Sequence, residues 1–346
     1  MTDYAIGWDI GGAHVKAAAL DSQGRVACAL QHPCPLWKGL EYLRLAVNAS
    51  LRELPAGGCR HYLTMTGELA DCFANRAAGV AAITQAMREL LSDAPLRVFS
   101  RHGFITPEQA LAADPLDVAS LNWLASAALA ARNLADGVFI DIGSTTTDLA
   151  AIQNGQLNIQ GYTDYQRLIS GELVYTGIVR TPVMAVAQYA RFNGQEMGLM
   201  AEFFASMADV YRVTGELNEA HDQTASADGA EKTAAASARR LSRMTGYDFE
   251  PSDWPRWQAF AQELKQKQKA LLRRALQRRL PESATRELTL CGAGVGRFLV
   301  RELAAEFGFD YQDFARLLLA SGPHYAGMDA GDCAPAVAVA YLGFAG

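Results

Sequence analysis

Apolar stretches recur along the chain in a pattern that repeats itself. An apolar run ending at Asp9-Ile10 meets Gly11-Gly12, and a second apolar run reaches Leu20. A polar turn, Asp21-Ser22-Gln23-Gly24, leads to a third run, Val26 to Leu30. This reads as a meander of three strands joined by tight turns. Further on, Phe139-Ile140-Asp141-Ile142-Gly143-Ser144-Thr145-Thr146-Thr147-Asp148-Leu149-Ala150 can be laid over the segment from Gly7 without a gap. It too reaches a polar turn, Gln153-Asn154-Gly155, and a short strand, Leu157 to Ile159. Two meanders about 130 residues apart predict two similar lobes, each opening with an acidic turn.

Between and after them the periodicity is mostly helical. Leu40 to Leu54 has helical spacing and stops at Pro55-Ala56-Gly57-Gly58. Tyr62 to Met65 reads as a strand, helical stretches run to Leu91, and Leu96 to Phe99 is a short strand. Thr106-Pro107-Glu108 combines a capping residue, a first-turn Pro and an acid, a helix start. Asp117 to Leu134 is expected to be one apolar helix leading into strand Val138 to Asp141. Residues 200–284 read as mostly helical, interrupted by a polar stretch, Gly215 to Thr233, expected to be a mobile loop. Trp254 to Leu280 is an amphipathic helix with Trp257, Phe260, Leu264, Leu271, Leu272 and Leu276 on its apolar side. Strand Leu288 to Leu290, turn Cys291-Gly292-Ala293-Gly294, helix Val295 to Phe307 and a final apolar helix, Ala334 to Leu342, complete the order. The implied domains are 1–135 and 136–332, with the helix at 333–345 returning to the first and the helical insert, 200–284, in the second.

Composition narrows the class. Half of the 346 residues are apolar and a fifth are charged, with 31 Lys plus Arg against 37 Asp plus Glu. A net charge of −6 argues against a general polyanion binder, and the basic side of the long helix reads as a solvated face rather than a nucleic-acid surface. Six cysteines without a CxxC pair read as reduced thiols. No apolar run reaches 18 residues and the N-terminus enters a strand pattern directly, so the expectation is a soluble cytoplasmic protein without a membrane partner.

Chemistry concentrates in the turns. Gly11-Gly12 lets backbone N–H groups approach an anion because no Cβ stands in the way. Gly143-Ser144-Thr145-Thr146 offers the same backbone with three hydroxyls. Asp9 and Asp141, each at a strand end, would face one another across a cleft between two lobes and attract Mg²⁺. Lys16 would lie over a phosphate as a point charge, and the turn at Gly292 and Gly294 would bring a helix N-terminus to the same place.

Two such acidic turns followed by strand, CGAG and helix resemble the phosphate and adenosine motifs of the actin-like ATPase superfamily, which includes the hydantoinase/oxoprolinase group. The resemblance implies an α/β fold of two ribonuclease-H-like lobes around a central cleft, with Mg²⁺ and a diphosphate-bearing ligand between them. Three further strings are narrower: Leu63-Thr64-Met65-Thr66-Gly67-Glu68-Leu69 with Arg76, Ser170-Gly171-Glu172-Leu173-Val174-Tyr175-Thr176-Gly177 with Arg180-Thr181-Pro182, and Ala227-Asp228-Gly229-Ala230-Glu231-Lys232-Thr233 followed by Arg239-Arg240-Leu241-Ser242-Arg243. They resemble the hydantoinase-related proteins linked to tetrahydromethanopterin-dependent one-carbon metabolism, among whose archaeal members is a methanofuran-biosynthesis synthase.

That resemblance implies a transferase that joins a furanmethyl diphosphate to a tyramine- or tyrosine-type phenol and releases diphosphate with Mg²⁺. The catalytic expectation falls on Lys16, Glu172, Asp141 and Glu68, with Asp9 and Asp141 on the metal. Gly11, Gly12, Lys16, Gly143, Ser144, Thr145, Thr146, Gly292 and Gly294 would hold the diphosphate or a nucleotide. Thr66, Arg76, Tyr175, Arg180, Asp228 and Lys232 would meet the small-molecule substrates. The alternatives are an ATP-dependent small-molecule kinase, a hydantoinase/oxoprolinase-type hydrolase, or a non-catalytic nucleotide sensor. The oligomeric state stays open.

Overall fold

In the computed structural model, residues 4–92, 94–280, 288–318 and 328–345 are described. The chain forms two compact units, one of Met1–Phe139, Ala150–Arg167 and Gln312–Gly346, the other of Ile140–Leu149 and Leu168–Tyr311. Fourteen strands are present among the described residues: β1 (Tyr4–Ile10), β2 (His14–Leu20), β3 (Val26–Pro33), β4 (Cys59–Met65), β5 (Leu96–Ser100), β6 (Gly103–Ile105), β7 (Gly137–Ile142), β8 (Thr147–Gln153), β9 (Gln156–Asn158), β10 (Leu173–Val174), β11 (Tyr189–Phe192), β12 (Gln195–Gly198), β13 (Thr289–Ala293) and β14 (Asp310–Asp313).

The first sheet runs β3-β2-β1-β4-β5-β6. Strands β1, β2 and β3 are the antiparallel meander expected from the sequence, and β4 and β5 are parallel to β1. The second sheet runs β10-β8-β7-β13-β14, with β9 also on β8. Both therefore carry the order third, second, first, fourth, fifth that the ribonuclease-H-like expectation requires. In the second sheet the third-strand place is shared, because β9 pairs with Ala151–Gln153 of β8 and β10 pairs with its Thr147–Asp148 end.

Burial explains why β1 stays where it is. Ile6, Trp8 and Ile10 are buried in one core with Val15, Leu30, Leu63, Met65 and Val98. Helix Ala334–Phe344, in the same unit, lies so close that a methyl group at Gly7 would sit 1.8 Å from the Ala336 carbonyl oxygen. Trp8 Nε1 donates to His61 Nδ1 at 3.0 Å, which satisfies the buried indole. The second unit has an aromatic core in which Trp257 and Phe260 of helix Trp254–Gln277 meet Phe192 of the β11–β12 hairpin.

Several boundaries differ from the sequence reading. The helix expected over Asp117 to Leu134 is shorter, Asn122–Ala131, because Ser120 adopts φ +55° and separates it from a short 3-10 turn, Pro115–Asp117. In the CGAG segment, Cys291, Gly292 and Ala293 belong to β13, and the turn begins at Gly294. Of the long helix's apolar side, Leu271 is 37 % exposed while the others are buried. Its basic residues face acids: Lys265 pairs with Glu216 and Glu302, Lys269 with Glu302 and Glu306, and Arg273 with Glu306. The polar stretch expected to be mobile is tied by ions. Arg212 binds Glu219 and Asp222, Lys232 binds Asp222, and Arg240 binds Asp228. The end of the expected helical insert, 281–284, lies outside the described residues, as does 319–327 of the expected second domain. No described helix is long and apolar enough to cross a membrane.

Candidate functional site

In the first unit the site is the β1–β2 turn. Asp9 stands opposite Lys16 in the register, and the Gly11 N–H donates to the His14 carbonyl at 2.9 Å to close the turn. A Cβ at Gly12 would meet nothing within 4 Å, so this backbone is open to a ligand, whereas one at Gly11 would press on the His14 carbonyl at 3.0 Å. The end of β4 folds onto the same turn. Thr66 and Gly67 N–H groups both donate to the Ile10 carbonyl, at 2.9 and 3.0 Å, and a Cβ at Gly67 would lie 3.1 Å from the Gly11 carbonyl group. Asp9 is buried, with Asn122 Nδ2 3.4 Å from each of its oxygens. The Lys16 ammonium donates to the Asp332 carbonyl at 2.7 Å. Sequence reasoning passed over Asn122 and Asp332, since each reaches its partner by helix packing rather than local spacing.

Glu68 and Arg76 form a separate cluster in this unit. Glu68 is fully buried, accepts from the Ser120 hydroxyl at 2.6 Å and has the Arg76 guanidinium at 3.7 Å. Arg76 also binds Asp164 at 2.7 Å. Burial raises the Glu68 carboxyl above its usual pKa, against the opposing pull of Ser120 and Arg76. A carboxyl so enclosed suits a structural role better than proton transfer to a ligand.

In the second unit the β7–β8 turn is closed by Gly143 N–H to the Thr146 carbonyl at 2.9 Å. A second segment zips onto it. Ile178 N–H donates to the Gly143 carbonyl, and Val179 and Arg180 N–H groups donate to the Ser144 carbonyl, at 2.9 to 3.0 Å. This approach requires Gly177, where a Cβ would lie 2.5 Å from the Thr145 nitrogen. The zipper delivers Arg180, whose Nη1 is 3.4 Å from Thr145 Oγ1. Burial lowers the Arg180 pKa from its usual value, with Tyr175 opposing. Ser144 Oγ is buried without a hydrogen-bond partner.

Gly294 joins the same turn. Its φ is +78°, and a Cβ there would be 2.2 Å from Asp141 Oδ1. The Gly296 N–H donates to the Ile142 carbonyl at 2.8 Å, so the start of helix Arg297–Phe307 is fixed at the end of β7. Gly292 faces elsewhere, against the Tyr311 ring and Val300. Glu172 is buried, accepts from Ser170 Oγ at 2.8 Å and lies 3.5 Å from Arg279. Tyr175 is 69 % exposed. Asp228 is held by Arg240 and Arg243, and Lys232 by Asp222, so both belong to the ion network of the insert.

The profile of the family described as hydantoinase/oxoprolinase matches residues 61–318. A (4-{4-[2-(gamma-L-glutamylamino)ethyl]phenoxymethyl}furan-2-yl)methanamine synthase of Methanocaldococcus jannaschii is 32 % identical over 255 residues, 72 % of this chain and 74 % of that one. A protein of the same description from Methanococcus vannielii is 30 % identical over 112 residues, 32 % of this chain and 50 % of that one. Among solved structures, nucleotide-free acetone carboxylase has a TM-score of 0.55 at 11 % identity, covering 89 % of this chain and 68 % of that one, a likeness of fold.

Proposed function

The chain belongs to the hydantoinase/oxoprolinase family, and from that premise we propose that it is a transferase of methanofuran-type cofactor biosynthesis. The observation that carries the reading is the 32 % identity to the M. jannaschii synthase across about three quarters of both proteins. That relative's product contains an aryl ether between a phenol oxygen and a furan-bearing methylene. In the reaction proposed, the phenol oxygen of a tyramine- or tyrosine-type acceptor forms a bond to the methylene of a furanmethyl diphosphate. The bond from that methylene to the diphosphate oxygen breaks, diphosphate leaves with the electron pair, and the phenol proton is released. The furan oxygen shares the positive charge that grows on the methylene, so the protein's task is to position the reactants and stabilise the leaving group.

The residues assigned to that task follow from the two turns. Gly11 and Gly12 present backbone to an anion, with Lys16 as a point charge. Gly143, Ser144, Thr145 and Thr146 do the same in the second unit, where the buried Ser144 hydroxyl lacks a partner that a phosphate oxygen would supply. Asp9 and Asp141 are hard oxygen donors, and no group of three or more His, Cys, Asp or Glu able to hold a metal occurs among the described residues. Either carboxylate, taken within its own unit, suits Mg²⁺, which uses one or two carboxylates and keeps waters and phosphate oxygens for the rest of its shell. Bound there, Mg²⁺ would neutralise diphosphate charge. Thr66, Arg180 and Tyr175 are the contacts assigned to the organic substrates. Of the acids considered for the phenol proton, Asp141 lies in β7 two residues before Gly143.

The test is release of inorganic diphosphate from a furanmethyl diphosphate, with and without Mg²⁺ and a tyramine- or tyrosine-type phenol. Release that needs both supports the reading. No release with any such phenol, together with ATP turnover on another small molecule, would transfer the assignment to the kinase or hydrolase alternatives.

A further inference from the structure

The acceptor of the Lys16 hydrogen bond lies 316 residues away in sequence, in a turn that contains no glycine-rich phosphate motif. Asp332 is 3 % exposed. Its turn is locked reciprocally: the Asp329 N–H donates to Asp332 Oδ2 and the Asp332 N–H donates to Asp329 Oδ1, both at 3.0 Å. The Cys333 N–H then donates to the Asp329 carbonyl at 3.2 Å, leading into helix Ala334–Phe344. That helix is anchored on β1 by the Gly7–Ala336 approach, and β1 carries Asp9. Strand, helix and turn are thus parts of one packed body within the first unit.

We infer that Asp332, through its reciprocal turn with Asp329, is a positioning residue for the Lys16 ammonium, an inference that rests on the diphosphate reading above. A lysine side chain has four flexible carbons and gives up rotamer freedom when fixed. A buried carbonyl at 2.7 Å restricts the ammonium in the resting protein, before any anion arrives, which is preorganisation in the sense that electrostatic catalysis requires. The same neighbourhood is felt by Cys333. Burial pushes its thiol well up, Lys16 opposes, and Asp332, Asp329 and Asp9 reinforce the rise, so all four charges lie around this one point.

The experiment is a double-mutant cycle of Asp332→Ala and Lys16→Met, read as turnover and as affinity for inorganic diphosphate, with melting temperature on every variant. Positioning predicts that Asp332→Ala lowers turnover about ten- to a hundredfold and weakens diphosphate binding. In the Lys16→Met background it should cost almost nothing further. Asp332→Asn, whose amide oxygen can still accept from the Asp329 N–H, should restore most of the loss. Independent multiplication of the two effects, or an Asn variant as poor as the Ala one, or a fall in melting temperature at unchanged turnover, each overturns the inference. Should Asp332→Ala fail to fold, Asp329→Ala replaces it in the cycle. A wild-type protein that releases no diphosphate defeats the functional reading instead, and the binding arm then decides the role of Asp332 by itself.

Discussion

Gly294 stands against Asp141, and a methyl group added to its α-carbon would lie 2.2 Å from the Asp141 Oδ1. The backbone of Gly294 is also left-handed, at φ +78°, so two costs coincide at one atom. Gly308 separates them: its φ is +70°, and a Cβ there meets nothing within 4 Å. Each Gly→Ala replacement pays about 1–2 kcal/mol for the conformation. Only Gly294→Ala should also displace the carboxylate and reduce turnover, by about tenfold or more. Equal turnover in the two variants would detach Asp141 from the reaction.

Asp9→Asn and Asp141→Asn preserve size while removing a charge from a buried strand end. Each is expected to lower turnover by about 10² or more and to raise the Mg²⁺ concentration needed for half-maximal rate. A variant whose metal titration coincides with that of wild type would show that its carboxylate does not hold the ion.

Glu68 gives a test whose sign is set by burial. Its carboxyl is raised above the ordinary value of 4.5, so the folded protein holds the proton more tightly than the unfolded chain. That contribution is fully present below about 4.5 and is lost as pH rises through the folded value. Glu68→Gln, which still accepts from Ser120, should match wild type in acid and be at least as stable at pH 7 to 8. Urea midpoints across pH 4 to 8 measure this. A variant that matches wild type in acid yet is less stable at pH 7 to 8 would show that the Arg76 ion pair outweighs desolvation.

Asp228 carries the opposite sign. Burial would raise its carboxyl, but Arg243, the Ala230 N–H and Arg240 outweigh burial and hold it down at about 2. The stabilisation is therefore present above about 4 and disappears as pH falls towards about 2. Asp228→Asn should be less stable than wild type at neutral pH, with the two curves converging in acid. Parallel curves down to pH 2 would place the benefit in packing rather than charge.

What could be read from the sequence was local chemistry. The meanders around Asp9-Gly11 and Asp141-Gly143 are hairpins whose geometry follows from the residues in the turn itself. The Thr106 capping box with Gln109 forms for the same reason. Asn122 and Asp332 escaped because nothing near them in sequence marks their partners, and Gly177, although it stands in one of the narrow strings, gave no sign of its approach to the Thr145 turn. The β13 boundary moved past Gly292 because an apolar neighbour, the Tyr311 ring, accepts a strand glycine there. Polar composition between Gly215 and Thr233 pointed to mobility. The arginines that restrain that stretch sit on the flanking helices, Arg212 on Met207–Thr214 and Arg240 on Ala234–Arg243.

The gapless echo that sets Asp9 over Asp141 also sets Lys16 over Asp148. One copy of the meander thus carries a cation seven residues after its acid, and the other carries a second anion. A meander used twice has become two parts that differ by two units of charge at one aligned position. Transplanting Gly7–Leu20 over Phe139–Ile152 would conserve the turn and the leading acid yet reverse the charge on the following strand. The molecule's functional asymmetry would then reside in a single side chain per half rather than in the shape of either.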